Sequence, residues 1–132
     1  MPIISFTQRD VLRGKVVTPG WYRMKIEEVG EAPSKDAKST NYPVEGTIMF
    51  NADNGSKEFE NVPIDWNFNS KAIGFAVGFL KALGIDVEAG ARFELSNTAG
   101  KELDVFIEND TWQNRIVNRV NHKYREPRQQ AS

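Results

Sequence analysis

Cysteine is absent, histidine occurs once, at His122, and neither charge is in excess: 17 Lys and Arg face 18 Asp and Glu in a chain of 132 residues. The missing cysteine excludes a disulfide framework, a thiolate zinc or iron–sulfur site and a cysteine nucleophile, and it allows a reducing compartment. A single imidazole excludes a histidine cluster for zinc and any pair of imidazoles working as acid and base. Long apolar runs are also missing. The longest apolar-rich stretch, Ala72 to Leu83, falls well short of the roughly 20 residues a membrane helix needs. Met1-Pro2-Ile3-Ile4-Ser5-Phe6 lacks the basic start and sustained apolar run of a secretory signal, so no export is expected. Two glycosylation tripeptides, beginning at Asn54 and Asn109, have meaning only on a secretory route.

With 39% hydrophobic residues, the chain can fill one modest core, and its length fits one compact domain. The near-neutral total conceals a polarity. Residues 1 to 110 carry 12 basic and 17 acidic side chains, a net of −5; from 111 onward Arg115, Arg119, Lys123, Arg125 and Arg128 face only Glu126, a net of +4. A local basic end points to an anionic partner, which the bulk charge would not.

The chain divides into an irregular lead-in over 1–18, with one helical turn near Thr7 to Arg13, a single domain over 19–125, and a polar tail over 126–132. Tyr22, Met24 and Ile26 alternate with Trp21, Arg23, Lys25 and Glu27, the period of a half-buried strand over 21–29. A polar loop over 31–41 separates it from a second strand over 42–50. The turn-rich run Asn51 to Ser56 predicts a hairpin into a third strand over 58–68, where Val62, Ile64, Trp66 and Phe68 share the core face. Within that strand Pro63 removes a ladder donor and marks an edge or a bulge. Asn69-Ser70 starts a helix that Gly84 stops, with Ile73, Ala76, Val77, Leu80 and Leu83 as its stripe, widened by Phe75 and Phe79. Gly74 and Gly78 leave a bare strip suited to close packing against the sheet.

Arg92 to Leu95 reads as a short strand, Asn97 to Gly100 as a turn, and 103–107 as the fourth main strand, with Asp104, Phe106 and Glu108 outward by parity. Asn109 to Asn114 reads as a polar loop carrying Trp112. In Arg115 to Arg125 the apolar positions Ile116, Val120 and Tyr124 satisfy both a helix and a strand; the β-branched and Asn content favours a fifth strand. Three strands, a helix and two strands are the elements of a five-stranded Greek-key barrel of the OB type, mostly β with one helix between the third and fourth strands.

Catalytic chemistry has little to stand on. Asp65, Asp104 and Glu108 are as well explained by an exposed charged face as by acid–base or cation work. Gly100-Lys101 lacks the rest of a phosphate loop, since Leu95 and Glu102 stand where Gly and Ser or Thr belong. No enzyme and no cofactor are expected. Single-strand binding instead needs cations for phosphates and flat side chains on which unpaired bases stack. Trp21, Arg23 and Lys25 share the outward face of the first strand; Lys35 and Lys38 lie in the following loop; Phe106 is outward by parity; Trp112 lies in the last loop; Arg115, Arg119 and Lys123 share a face in either conformation of the last segment. Each has a plainer reading: Trp21 as a lid on the core, the two loop lysines as solubilising charges, the basic row as protection of a sheet edge.

Pro19-Gly20-Trp21-Tyr22, Lys25-Ile26-Glu27-Glu28, Ser34-Lys35, Asn41-Tyr42, Glu45-Gly46, Leu80-Lys81-Ala82-Leu83-Gly84 and Asn118-Arg119-Val120 together resemble a family of small bacteriophage single-stranded-DNA-binding proteins with an OB fold. The likeness spans about residues 5 to 125. It implies sequence-tolerant binding of single-stranded DNA in phage replication or recombination, in the cytoplasm of the infected cell, without turnover. It extends a DNA-contact role to Trp21, Lys35, Asn118 and Arg119. Replication or recombination proteins, and further copies of the chain, are the protein partners it allows. Members commonly end in an acidic tail that recruits such partners, whereas this sequence ends Arg125-Glu126-Pro127-Arg128-Gln129-Gln130-Ala131-Ser132; either the sequence is shortened or recruitment works otherwise, and the resemblance supports the binding expectation better than the recruitment one. The alternative from the residues is a protein-interaction or virion-associated OB module without nucleic-acid binding.

Overall fold

The structure, a computed structural model, describes residues 3–127. Arg128 and the rest of the expected polar tail beyond Pro127 lie outside the described residues. The fold is mostly β. Helix α1 (Gln8–Arg13) precedes strand β1 (Gly20–Val29), the two-residue strand β2 (Ala32–Pro33), β3 (Thr40–Asn51), β4 (Pro63–Asn69), helix α2 (Gly74–Ala82), β5 (Glu102–Trp112) and β6 (Arg115–Arg125). All pairings are antiparallel, in the order β2–β3–β1–β5–β6, with β4 also paired to β3. No ladder joins β4 to β6, so hydrogen bonds do not close the sheet into a barrel.

Side chains cover the gap that the ladder leaves. On the core face Tyr22, Met24 and Ile26 of β1, Val44 and Ile48 of β3, Ile64, Trp66 and Phe68 of β4, and Leu103, Val105 and Ile107 of β5 are buried, as their alternation predicts. Helix α2 packs on β6 and inserts Phe79 between the two unpaired strands. Its ring centroid lies 5.1 Å from Phe68 and 6.3 Å from Trp66 on β4, and 5.4 Å from Tyr124 on β6. Gly46 of β3 allows close packing here: a Cβ would come within 3.0 Å of the Met24 methyl and 3.3 Å of the Trp66 ring. Farther along β6, the Asn118 amide ties down the lead-in, its Oδ1 accepting from the Val17 N–H at 2.9 Å and its Nδ2 donating to the Lys15 carbonyl at 2.8 Å.

Helix α1 has no fully buried residue, and only Leu12 packs, half-buried, against the core. A Thr7–Asp10 capping box starts it, with each side chain accepting the other's backbone N–H. Six residues are too few for a helix to persist alone, and Arg9 and Arg13 fasten it to the sheet through Glu45, Thr47 and Asp65.

Several expectations need correction. The third expected strand begins at Pro63 rather than 58, because residues 57–61 fold into turns and Asn61 takes φ 72°. Asn51 to Ser56 is therefore the start of a longer connection and not a tight hairpin. Pro63 does open a strand at the edge of the ladder. Arg92 to Leu95 forms no strand; β1 is already paired on both sides, and a 3-10 turn over Leu95–Thr98 follows. The expected loop over 31–41 holds β2. Gly74 and Gly78 face open space, with nothing within 4 Å of either would-be Cβ. The 3.6-residue period turns Ala76, Phe79 and Leu80 to the core and leaves both glycines opposite. Ile73, Phe75 and Val77, expected in the buried stripe, are exposed: Ile73 and Val77 flank Ala76 and Leu80 along an open groove, and Phe75 stacks on His122.

Candidate nucleic-acid interface

The face of β1, β5 and β6 turned away from the core brings most of the expected residues together. Strand register sets Trp21 opposite Phe106, Arg23 opposite Asp104 and Lys25 opposite Glu102 across β1 and β5. Across β5 and β6 it sets Asp104 opposite Arg125, Glu108 opposite Arg119 and Trp112 opposite Arg115. The ladder slips between Val105–Tyr124 and Ile107–Val120, so residues 121–123 bulge opposite Phe106. His122 accommodates the bulge with φ 56°. Its ring stacks on Phe75 of α2 at 4.4 Å and 13°. Lys123 lies on the outer side, its ammonium 5.2 Å from the Phe106 centroid and 3.2 Å from Glu108.

Trp21 and Phe106 meet edge to face at 5.4 Å and 73°. The Arg125 guanidinium covers the Trp21 ring at 4.3 Å, and that of Arg23 covers Phe50 at 5.2 Å. Trp21 is thus half-buried on the outer face, neither a core lid nor a bare platform. Beneath these rings lies Asp104, which is 0% exposed and accepts from Arg23 Nε at 2.7 Å and Arg125 Nε at 3.1 Å. This corrects the expectation that Asp104 is an exposed outward carboxylate. Parity is right, but two long guanidinium side chains roof it. Arg23, with its side chain 11% exposed, is a structural partner of Asp104 before it is a phosphate ligand.

Further ion pairs lie on this face. Arg125 reaches Asp53 at 2.9 Å; Arg119 pairs with Asp110, whose carboxyl it holds below the usual range. Lys25 and Arg115 are exposed and form no ion pair among the described residues.

The expected loop over 109–114 is instead a continuation of β5 and β6 closed by a two-residue turn, Gln113-Asn114, with φ 50° and 63°. Trp112 stands at this tip, 57% exposed. With Arg115 and Ile116 it borders a cleft of about 300 Å³ whose far wall is Arg13, Val16 and Ile64.

Neither a family model nor a curated protein matches this chain. Among the described residues no group of three or more His, Cys, Asp or Glu is arranged to hold a metal ion, and no helix is long and apolar enough to cross a membrane.

Some expected contacts fall elsewhere. Lys35 and Lys38 are exposed on the turn between β2 and β3, with β3 and β1 standing between that turn and β5 in the sheet order. Asn118 spends both ends of its amide on the lead-in. Conversely, Arg125 is the hub of the face, whereas the sequence marks it only as part of the basic end, although it shares the odd parity of Arg115, Arg119 and Lys123. The roles of Phe50 and Asp53 carry no comparable signal, because they depend on where the turn after β3 folds.

Proposed function

We propose that the protein is a non-enzymatic, sequence-tolerant single-stranded-DNA-binding module of the OB type, serving phage replication or recombination. The observation that carries this reading is the interleaving of Trp21 and Phe106 with Arg125, Lys123 and Arg119 on one sheet face that ends at the exposed Trp112 and Arg115. The strand order β4–β3–β1–β5–β6, with α2 inserted between β4 and β5, supports the partly open Greek-key barrel to which such faces belong.

In this mechanism a base exchanges with a cation. Lys123 lies over Phe106 in the free protein, whereas Arg125, which covers Trp21, is anchored by the buried Asp104 and stays in place. An incoming base takes the Phe106 ring face, and the displaced Lys123 turns to the phosphate that follows. Each stacked base contributes about 1–3 kcal/mol. Each phosphate contact adds about 0.7 to the log–log salt slope. Titrating the protein with a dT oligonucleotide at two salt concentrations tests the reading. Tryptophan quenching with salt-sensitive affinity is the expected result, and the absence of both overturns it.

The ion pairing of Arg23, Arg119, Lys123 and Arg125 favours a second reading, a protein-interaction module whose outer face is already neutralised. It requires a stoichiometric protein complex that survives nuclease treatment and no response to the oligonucleotide.

A further inference from the structure

The β5–β6 hairpin outruns the sheet that carries it. Strand β1 opposes β5 only as far as the Gly20–Ile107 pair, whereas the β5–β6 ladder continues from Glu108–Arg119 to Trp112–Arg115. Five residues of each strand therefore run past β1, a length of about 17 Å at roughly 3.4 Å per residue. Asn118 ties this extension to the lead-in, and beyond that tie residues 111–116 are all exposed. The tip is a two-stranded ribbon with solvent on both sides.

Each face of the ribbon ends in an apolar side chain. Ladder pairing puts Trp112 beside Arg115 on the outer face and Ile116 beside Thr111 on the opposite one; Trp112 is 57% exposed and Ile116 60%. We propose that the hairpin tip is a wedge for forked DNA, a duplex that opens into two single strands, stacking on the last base pair while one strand leaves along each face. The inference rests on the single-strand reading of the outer face and names the form of substrate that face prefers.

Only a divided ligand uses both sides. A single strand that follows the outer face past Phe106 to Trp112 leaves Ile116 in water. On the side of Ile116 lies the cleft of about 300 Å³, whose lining sets Arg13 and Arg115 against one carboxylate, Asp65. That balance admits the phosphates of a second strand. A duplex end suits the tip itself, because its last base pair is a flat π-face, and apolar side chains entering a base step replace the stacking they interrupt. One contact then removes both Trp112 and Ile116 from water. The two-residue turn Gln113-Asn114, with φ 50° and 63°, keeps the wedge narrow. No turnover is involved: binding the open fork better than the closed end shifts the last pair towards opening by that difference in affinity.

The test compares a dT oligonucleotide, a duplex with one dT arm and a duplex with two, each arm as long as the oligonucleotide and the last base pair carrying 2-aminopurine. The two-armed duplex is expected to bind about tenfold or more tighter than the oligonucleotide, with 2-aminopurine fluorescence rising as that pair unstacks. Ile116→Ser is expected to remove this advantage and leave dT affinity unchanged, whereas Trp112→Ala weakens binding to all three DNAs. Circular dichroism checks that the Ile116→Ser chain folds, and Ile116→Thr, which keeps the β-branch, replaces it if it does not. Equal affinity for the two-armed duplex and the oligonucleotide overturns the proposal. So does an advantage that the one-armed duplex shares in full, or one that the Ile116 variant leaves intact. In each of those outcomes dT binding persists and the reading of the outer face stands. Binding to none of the three DNAs overturns both.

Discussion

At the base of the β5–β6 hairpin Asp104 is wholly buried between Arg23 and Arg125, whereas at its tip Trp112 stands mostly in solvent beside Arg115, which has no ion pair among the described residues. Between them Glu108–Lys123 and Asp110–Arg119 are exposed pairs. The same alternation of acid, base and ring runs the length of the ladder, yet burial divides its roles. At the base, charge is committed to holding β1, β5 and β6 together. At the tip, an aromatic ring and a cation are available to a ligand.

The sharpest test of that division is Asp104→Ala. Removing the buried carboxylate leaves two guanidinium groups without their shared partner and is expected to lower stability by about 3–5 kcal/mol in urea unfolding. The matching change at the exposed pair, Asp110→Ala, is expected to cost far less, because solvent screens that pair. Equal losses would erase the distinction between base and middle.

Ligand binding is expected to show the reverse order. Trp112→Ala should weaken dT-oligonucleotide binding by about 1–3 kcal/mol and shift the unfolding free energy by no more than about 0.5 kcal/mol. Smaller still are the single cations. Arg115→Ala should flatten the salt slope by about 0.7, and Arg119→Ala by less, because Asp110 already shares its charge. Asp110→Asn should therefore raise affinity and steepen the slope, read from titrations over a salt series.

The smallest effect concerns the bulge. Burial, and secondarily the charge of Arg119, hold the His122 imidazole below its ordinary value of 6.5. The folded state therefore prefers the neutral ring. Its contribution is complete above 6.5 and is lost as the pH falls below that value towards the lowered folded one. Melting temperatures should decline on the acid side in the unmodified protein. The decline should be shallower in His122→Asn, which tolerates the left-handed backbone and has no proton to gain.

Much of the fold is legible in the sequence because its strands have one wet and one dry face. Tyr22, Met24 and Ile26, or Val62, Ile64, Trp66 and Phe68, declare their core side by parity alone. The choice of strand for Arg115–Arg125 is also correct. What escapes parity is what depends on a second element. Asp104 is outward yet buried, since its cover comes from side chains 81 and 21 residues away along the chain. The bulge at His122 has no local mark, being defined by what lies opposite it. Asn118 has a DNA-contact role in the sequence only through the resemblance, and the path of the lead-in shows that its amide holds the Val17 and Lys15 backbone instead. In the candidate interface, Trp21, Phe106 and the basic row of β6 were legible as a shared face, but not the carboxylates that attend them.

The unclosed edge between β4 and β6 has a temporal consequence. Strands β1 and β3 have ladder partners on both sides, while β4 and β6 have one each along their main length and rely on Phe79 and Tyr124 to stay together. Separating them breaks ring contacts but no row of backbone bonds. That seam is where solvent first enters during partial opening. Amide hydrogens of β6 should exchange by a lower-energy route than those of β1, so the molecule carries an order of opening with the β6 edge of the candidate interface at its looser end.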